Sequence, residues 1–217
     1  MIAGRITAPL GTYEWREQFN YSHQLNVNMP IFFAIGCVGC IIGNLCYRPY
    51  KKLKSGIQGE ERTLNILKNL PINYTVLSNV QIEYDGKRSE IDNLIMSTRG
   101  LIIVETKNYK GTTTGKENDS EWIISKTSSK GNTFQDSIKN PIKQVKRQTY
   151  ILSQILKENS IYCWIDGYVY MAGGQCHTDS DKVYTEERKL LQIIIDSGRD
   201  NALSDEDMRR IQQVLKL

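Results

Sequence analysis

An uncharged apolar run from Pro30 to Tyr47 is the strongest hydropathy feature of the chain. Read as a helix, it spans about 27 Å at ~1.5 Å per residue, enough to cross the hydrocarbon of a bilayer. A single transmembrane helix is therefore expected over residues 29–47, with the lipid bilayer as partner of residues 30–47. A signal peptide and a buried core helix are the competing readings. The first lacks an early basic stretch and a small-x-small cleavage site.

Arg48, Lys51, Lys52 and Lys54 follow the run, whereas Arg16 is the cation within comparable reach before it. The positive-inside bias then places the larger C-terminal part in the cytoplasm of a single-pass protein of the cell membrane. Residues 1–28 become an extracytoplasmic segment and 48–55 a basic juxtamembrane linker. Gly39-x-x-x-Gly43 offers a surface on which two such helices could approach as a homodimer.

Beyond the linker the period changes. Ile57, Leu64, Leu67 and Leu70 recur on one stripe of a helix over Gly56–Leu70, which Pro71 ends. Glu60 falls at the centre of that stripe, a local inconsistency of the kind that tends to mark function. Tyr74–Leu77 reads as a strand, Asp85-Gly86 as a turn, and Ser89–Ser97 as a second strand. Thr98-Arg99-Gly100 turns the chain into the apolar strand Leu101–Lys107.

With Arg99 and Gly100 as the central turn residues, Thr98 pairs with Leu101 and Asp92 falls opposite Lys107. Glu105 is then diagonal to Asp92. Because side chains alternate, an even-length turn puts Asp92, Glu105 and Lys107 on one face and Ile102, Val104 and Thr106 on the other.

Trp122-Ile123-Ile124 reads as a short strand with Trp122 as a core anchor. A helix follows over Pro141–Glu158, with Asn140 as N-cap and an apolar stripe of Ile142, Val145, Leu152 and Leu156. Gln144 lies at the edge of that stripe. Ile161–Met171 reads as a further strand, and Ser204 caps a closing helix through Leu215.

The 217 residues are 40% hydrophobic and 24% charged, an ordinary globular composition that argues against disorder and collagen-like repeats. A net charge of +4 is too small to imply nucleic acid by itself, so any basic surface must be local. Lys139, Lys143, Lys146 and Arg147 form such a cluster around a helix start, either tracking a phosphate backbone or solvating a helix face. Five cysteines are an odd number and imply no disulfide framework. Cys37-x-x-Cys40 lies inside the apolar run without a cation to activate a thiolate. His177 beside Cys176 has no second Cys/His pair to complete a zinc site.

The chemistry gathers at Glu105-Thr106-Lys107, thirteen positions after Asp92. Charge at the end of a buried strand costs free energy unless it is paired or metal-bound. Two carboxylates with a lysine suit a metal-dependent phosphodiester-cleaving site, in which the acids hold a hard divalent cation and the lysine steadies phosphate or nucleophile.

Gly59-Glu60, Glu90-Ile91-Asp92, the run Gly100–Gly111, Trp122 and Asn140-Pro141-x-x-Gln144 together resemble the nuclease-related domain, or NERD, family over roughly residues 55–170. The resemblance implies a restriction-endonuclease-like fold of the PD-(D/E)XK superfamily, an α/β architecture with a mixed sheet flanked by helices. It implies Asp92 and Glu105 as ligands of Mg²⁺ or Mn²⁺, Lys107 as the phosphate- or water-orienting cation, Glu60 as an accessory acid and Gln144 as a supporting polar residue. Asn93 stands where many relatives carry histidine.

The nuclease domain is expected over 56–171, and 172–217 as a C-terminal extension whose helix packs on it. The expected function is a membrane-anchored, divalent-metal-dependent nuclease acting on DNA. The alternatives are a non-catalytic nucleic-acid-binding module that retains the fold, or a membrane scaffold.

Overall fold

The computed structural model describes residues 9–129, 131–200 and 202–216. They divide into two compact units, one within 1–53 and the other within 54–217. Residues 1–8 of the segment expected outside the membrane lie outside the described residues.

The first helix, α1 (Tyr13–Leu67), begins at Thr12, whose Oγ1 accepts from the Trp15 N–H at 3.2 Å. This is the N-cap bond that a threonine supplies to an otherwise unpaired first-turn amide. In the first unit, one 18-residue stretch of this helix reaches a mean hydropathy of 2.0 and none of it is buried. Phe32 and Phe33 are 69% and 75% exposed. The helix is long and apolar enough to cross a membrane. Residues 48–53, which include Arg48, Lys51 and Lys52, continue it as helix.

In the second unit, the end of α1 from Lys54 precedes β1 (Thr75–Tyr84), β2 (Lys87–Ser97), β3 (Gly100–Thr114), β4 (Glu121–Thr127) and β5 (Thr133–Lys139). Then come α2 (Pro141–Glu158), β6 (Ile165–His177), β7 (Val183–Tyr184), α3 (Glu187–Asp196) and α4 (Asp205–Val214). The strands form one seven-stranded mixed sheet in the order β1-β2-β3-β4-β5, each pair antiparallel, with β6 parallel to β3 and β7 parallel to β6. The expected mixed sheet flanked by helices is present.

Strand alternation divides the core into two layers. On one face, Leu94, Leu101 and Ile103 meet Val145, Leu152 and Leu156 of α2, joined by Ile211 of α4. On the other, Ile95, Ile102 and Val104 meet Ile66 and Leu67 of α1 and Leu190 and Ile194 of α3. Asn140 caps α2 by accepting the Ile142 N–H at 2.9 Å, and Ser204 caps α4 by accepting the Asp207 N–H at 3.1 Å. Both helix starts are as expected. The Asp85-Gly86 turn has φ of 49° and 68°, as a two-residue hairpin of this twist requires.

Two expectations are corrected. The buried stripe of α1 is Gly59, Thr63, Ile66 and Leu67, while Ile57 is 47% exposed, so half-buried Glu60 flanks the stripe instead of centring it. The helix turns this way because Gly59 lies against Asn108: a Cβ there would come within 2.6 Å of the Asn108 Cβ. The β2–β3 turn is centred on Thr98-Arg99, with Ser97 opposite Gly100. Gly100 opens the strand because its φ is +128° and a side chain would come within 2.6 Å of the Trp164 carbonyl oxygen. Strands β5 and β7 and helix α3 are further elements that the sequence pattern does not predict.

Candidate functional site

The site arises where β3 changes neighbours. Along one edge β3 pairs with β2 as far as Asn93–Val104 and with β4 only from Thr112, while β6 runs along its other edge. Between Val104 and Thr112 the first edge has no ladder partner among the described residues. At the start of this gap the side chain of Asp92 substitutes for a strand: its Oδ2 accepts from the Thr106 N–H at 2.8 Å.

The corrected turn shifts the register by two, so Asp92 falls level with Glu105 instead of Lys107. The loop remains even, and Asp92, Glu105 and Lys107 keep one face, that of α2. Burial follows: Glu105 is 1% exposed. Lys107 Nζ donates to Glu105 Oε1 at 2.5 Å, and Gln144 Nε2 donates to the same oxygen at 2.6 Å. Gln148 Nε2 donates to Glu105 Oε2 and to the Glu90 carbonyl, both at 2.7 Å. Gln148, fully buried, was missed by the sequence reading, although it stands one helical turn after Gln144 and in the middle of the Val145–Leu152 stripe.

The electrostatics are those of carboxylates held close together. Burial, then the neighbouring Glu105 charge, pushes the Asp92 carboxyl up to about 7, against the Thr106 hydrogen bond and Lys107; Glu60 adds to the rise. Burial works against the Lys107 ammonium, but the charge and hydrogen bond of Glu105 prevail and raise its pKa. Burial also raises the Tyr109 phenol, with Lys107 opposing and Glu105 and Asp136 reinforcing, so Tyr109 lies within electrostatic reach of the same groups. The Glu60 side chain makes no hydrogen bond among the described residues and acts on Asp92 through its charge.

Asn93 belongs to the opposite face. It is 1% exposed and donates to the Val104 carbonyl and Thr106 Oγ1, both at 3.5 Å. Thr106 Oγ1 in turn donates to Thr63 Oγ1 at 3.1 Å, so this polar chain ties α1 to the back of the strand.

The basic residues around the α2 start are unequal. Lys146 Nζ donates to Glu117 Oε1 at 2.7 Å, and Arg147 Nη2 to the Arg88 carbonyl at 3.1 Å. Lys139 and Lys143 are exposed and, among the described residues, make no ion pair or side-chain hydrogen bond.

Two carboxylates converging with a lysine in a sheet gap occur here in the segment that matches the family model described as nuclease-related domain, residues 55–172. The chain belongs to the NERD family. A protein of Bacillus anthracis described as uncharacterized is 28% identical over 171 residues, covering 74% of each chain. No solved structure matches. The family segment of this NERD protein contains the nine site and basic-cluster residues expected from the sequence, Glu60 to Arg147, and Gln148 as well.

Proposed function

We propose that this NERD protein is a membrane-anchored, divalent-metal-dependent nuclease that hydrolyses phosphodiester bonds in DNA at the cytoplasmic face. The observation that carries the reading is the pairing of Asp92 with Glu105 in the β3 gap, which leaves a carboxyl pushed up to about 7 where a divalent cation would relieve the repulsion.

The donor set fits Mg²⁺ or Mn²⁺. Among the described residues no three His, Cys, Asp or Glu side chains gather as a full ligand set. Magnesium needs only one or two carboxylates, because waters and substrate phosphate complete its shell. Among the described residues Asp92 Oδ1 accepts no hydrogen bond, which leaves it available to a cation. When bound, the ion would polarise a phosphate oxygen and acidify a water. Lys107 would neutralise charge developing at phosphorus, Gln144 and Gln148 would fix the Glu105 carboxylate plane, and Glu60 would serve as accessory acid.

Anchoring rests on the exposed apolar helix. Lys51, Lys52 and Lys54 after it favour a cytoplasmic catalytic unit, and Gly39 and Gly43, with nothing within 4 Å, could receive a second copy of the helix.

A second reading has its own observation. Three hydrogen bonds from Lys107, Gln144 and Gln148 already occupy Glu105, as in a structural network within a non-catalytic DNA-binding module. Cleavage of linear and circular DNA with Mg²⁺ or Mn²⁺ separates the two. Loss of cleavage in Glu105→Gln and Lys107→Met with DNA binding retained supports the nuclease. Salt-sensitive binding without cleavage, at any metal concentration, supports the module.

A further inference from the structure

Beyond the gap, the β4–β5 hairpin carries chemistry that neither the core nor the paired carboxylates use. Trp122 pairs with Ile138, Ile124 with Asp136 and Lys126 with Phe134, so these six side chains share one face. Trp122 and Ile138 pack into the α2-side core, which identifies that face as the one bearing Asp92, Glu105 and Lys107. Toward the hairpin tip the cover ends: α2 packs over β1, β2, β3 and β6. Phe134 is left 59% exposed with Lys126, also exposed, directly across from it.

The patch is tied to the site. Gly111, with φ of +100°, lets the hairpin close on β3, and the Lys126 side-chain stem passes over it: a Cβ at 111 would come within 3.0 Å of the Lys126 Cγ. Asp136 and Tyr109 are within electrostatic reach of each other, and Tyr109 is within reach of Lys107. The face therefore runs from the carboxylates past Tyr109 and Asp136 to Phe134 and Lys126.

We propose that this face is a platform for an unpaired DNA strand entering the site, with a base stacked on Phe134 and a backbone phosphate on Lys126. An aromatic ring with a lysine about 5 Å across the ladder offers what a single strand needs, a π-surface and a cation. In an intact duplex the bases already stack on one another and leave no face for Phe134. Asp136, about 7 Å nearer the site along the strand, repels phosphate, so bases instead of backbone face the sheet there. The proposal rests on the nuclease reading for the strand's destination, but it makes its own claim about binding.

The test is fluorescence anisotropy of a dye-labelled 20-nucleotide single strand and of the matching blunt duplex, with the full chain in detergent micelles and EDTA present. Wild type is expected to favour the single strand by about tenfold or more, and Phe134→Ala to lose about tenfold on it with little change on the duplex. Phe134→Leu should behave like the alanine variant and Phe134→Tyr like wild type, which separates stacking from simple burial or misfolding. Lys126→Ala should flatten the salt slope for the single strand by about 0.7. Equal affinity for both DNAs, or full single-strand affinity in Phe134→Ala and Phe134→Leu, would overturn the proposal. Because no metal is present, a Phe134 effect beside an inert Glu105→Gln cleavage comparison would sink the nuclease reading alone.

Discussion

The side-chain amide of Gln148 joins Glu105 to the backbone of β2, with Nε2 at 2.7 Å from both Glu105 Oε2 and the Glu90 carbonyl. Its own Oε1 is buried without a partner among the described residues. The amide cannot flip to relieve that oxygen, because an acceptor would then face a carboxylate. Gln148→Leu keeps the bulk and removes both bonds. It is expected to destabilise the unit by about 1–3 kcal/mol, toward the lower end because an orphaned carbonyl disappears as well. Mn²⁺ affinity should fall ~10–100-fold if Glu105 is a ligand. Urea unfolding and calorimetric titration of Mn²⁺ check the two parts.

Asp92 makes the metal-free protein pH-sensitive in a defined direction. Its folded carboxyl titrates at about 7 against an ordinary value of 3.8, so between these values the folded state holds a proton that the unfolded state has released. Stability therefore falls as pH rises through this window, and the penalty is complete above it, at most about 4 kcal/mol. Asp92→Asn keeps an acceptor for the Thr106 N–H and removes the charge. In EDTA it should be more stable than wild type at pH 8 and nearly equal at pH 4. Urea midpoints at the two pH values decide, and equal midpoints for both proteins at pH 8 would refute the assignment. Metal binding needs the ionised carboxylate, so Mn²⁺ affinity should weaken as pH drops below about 7.

The sequence already held the parity of the site. Alternation and an even turn were enough to put Asp92, Glu105 and Lys107 on one face, and a register error of two did not disturb it. The apolar stripe of α2 and its Asn140 cap were equally legible, since both are local. What could not be read was long-range. The rotation of α1 depends on Gly59 meeting Asn108, 49 positions away, and the role of Gly100 depends on Trp164. The β5 strand was hidden because its exposed edge position leaves no apolar alternation. Gln148 was a different kind of omission. It stands mid-stripe between Val145 and Leu152, a polar residue at a core position that periodicity alone marks, whereas Glu60 only flanks its stripe.

The four cations near the α2 start should differ in DNA binding. Lys146 is committed to Glu117, whose carboxyl is held below its ordinary value by that hydrogen bond and by Ser180. Arg147 is committed in part to the Arg88 carbonyl. Lys139 and Lys143 hold no such bonds, so Lys139→Ala and Lys143→Ala should each reduce the slope of log affinity against log salt by about 0.7–0.9. Lys146→Ala and Arg147→Ala should change it less. Equal slopes in all four variants would mean that none of these cations meets phosphate.

Gly111 determines whether the hairpin stays beside the site. Its φ of +100° is a conformation that side chains rarely adopt, and a Cβ would fall on the Ser125 carbonyl oxygen and crowd the Lys126 stem. The neighbouring pairs Thr112–Ser125 and Thr113–Ile124 begin the β3–β4 ladder, so the obstruction acts at the point where that ladder closes. Gly111→Ala should therefore cost about 2 kcal/mol or more through backbone strain and displaced packing. The effect should be graded along the sheet. Amide exchange should accelerate in β4 and β5, whereas β2 and the parallel β3–β6 ladder near Val104, whose partners are untouched, should keep their protection. A uniform loss of protection across the whole sheet would instead mean that the hairpin and the site fold as one cooperative unit.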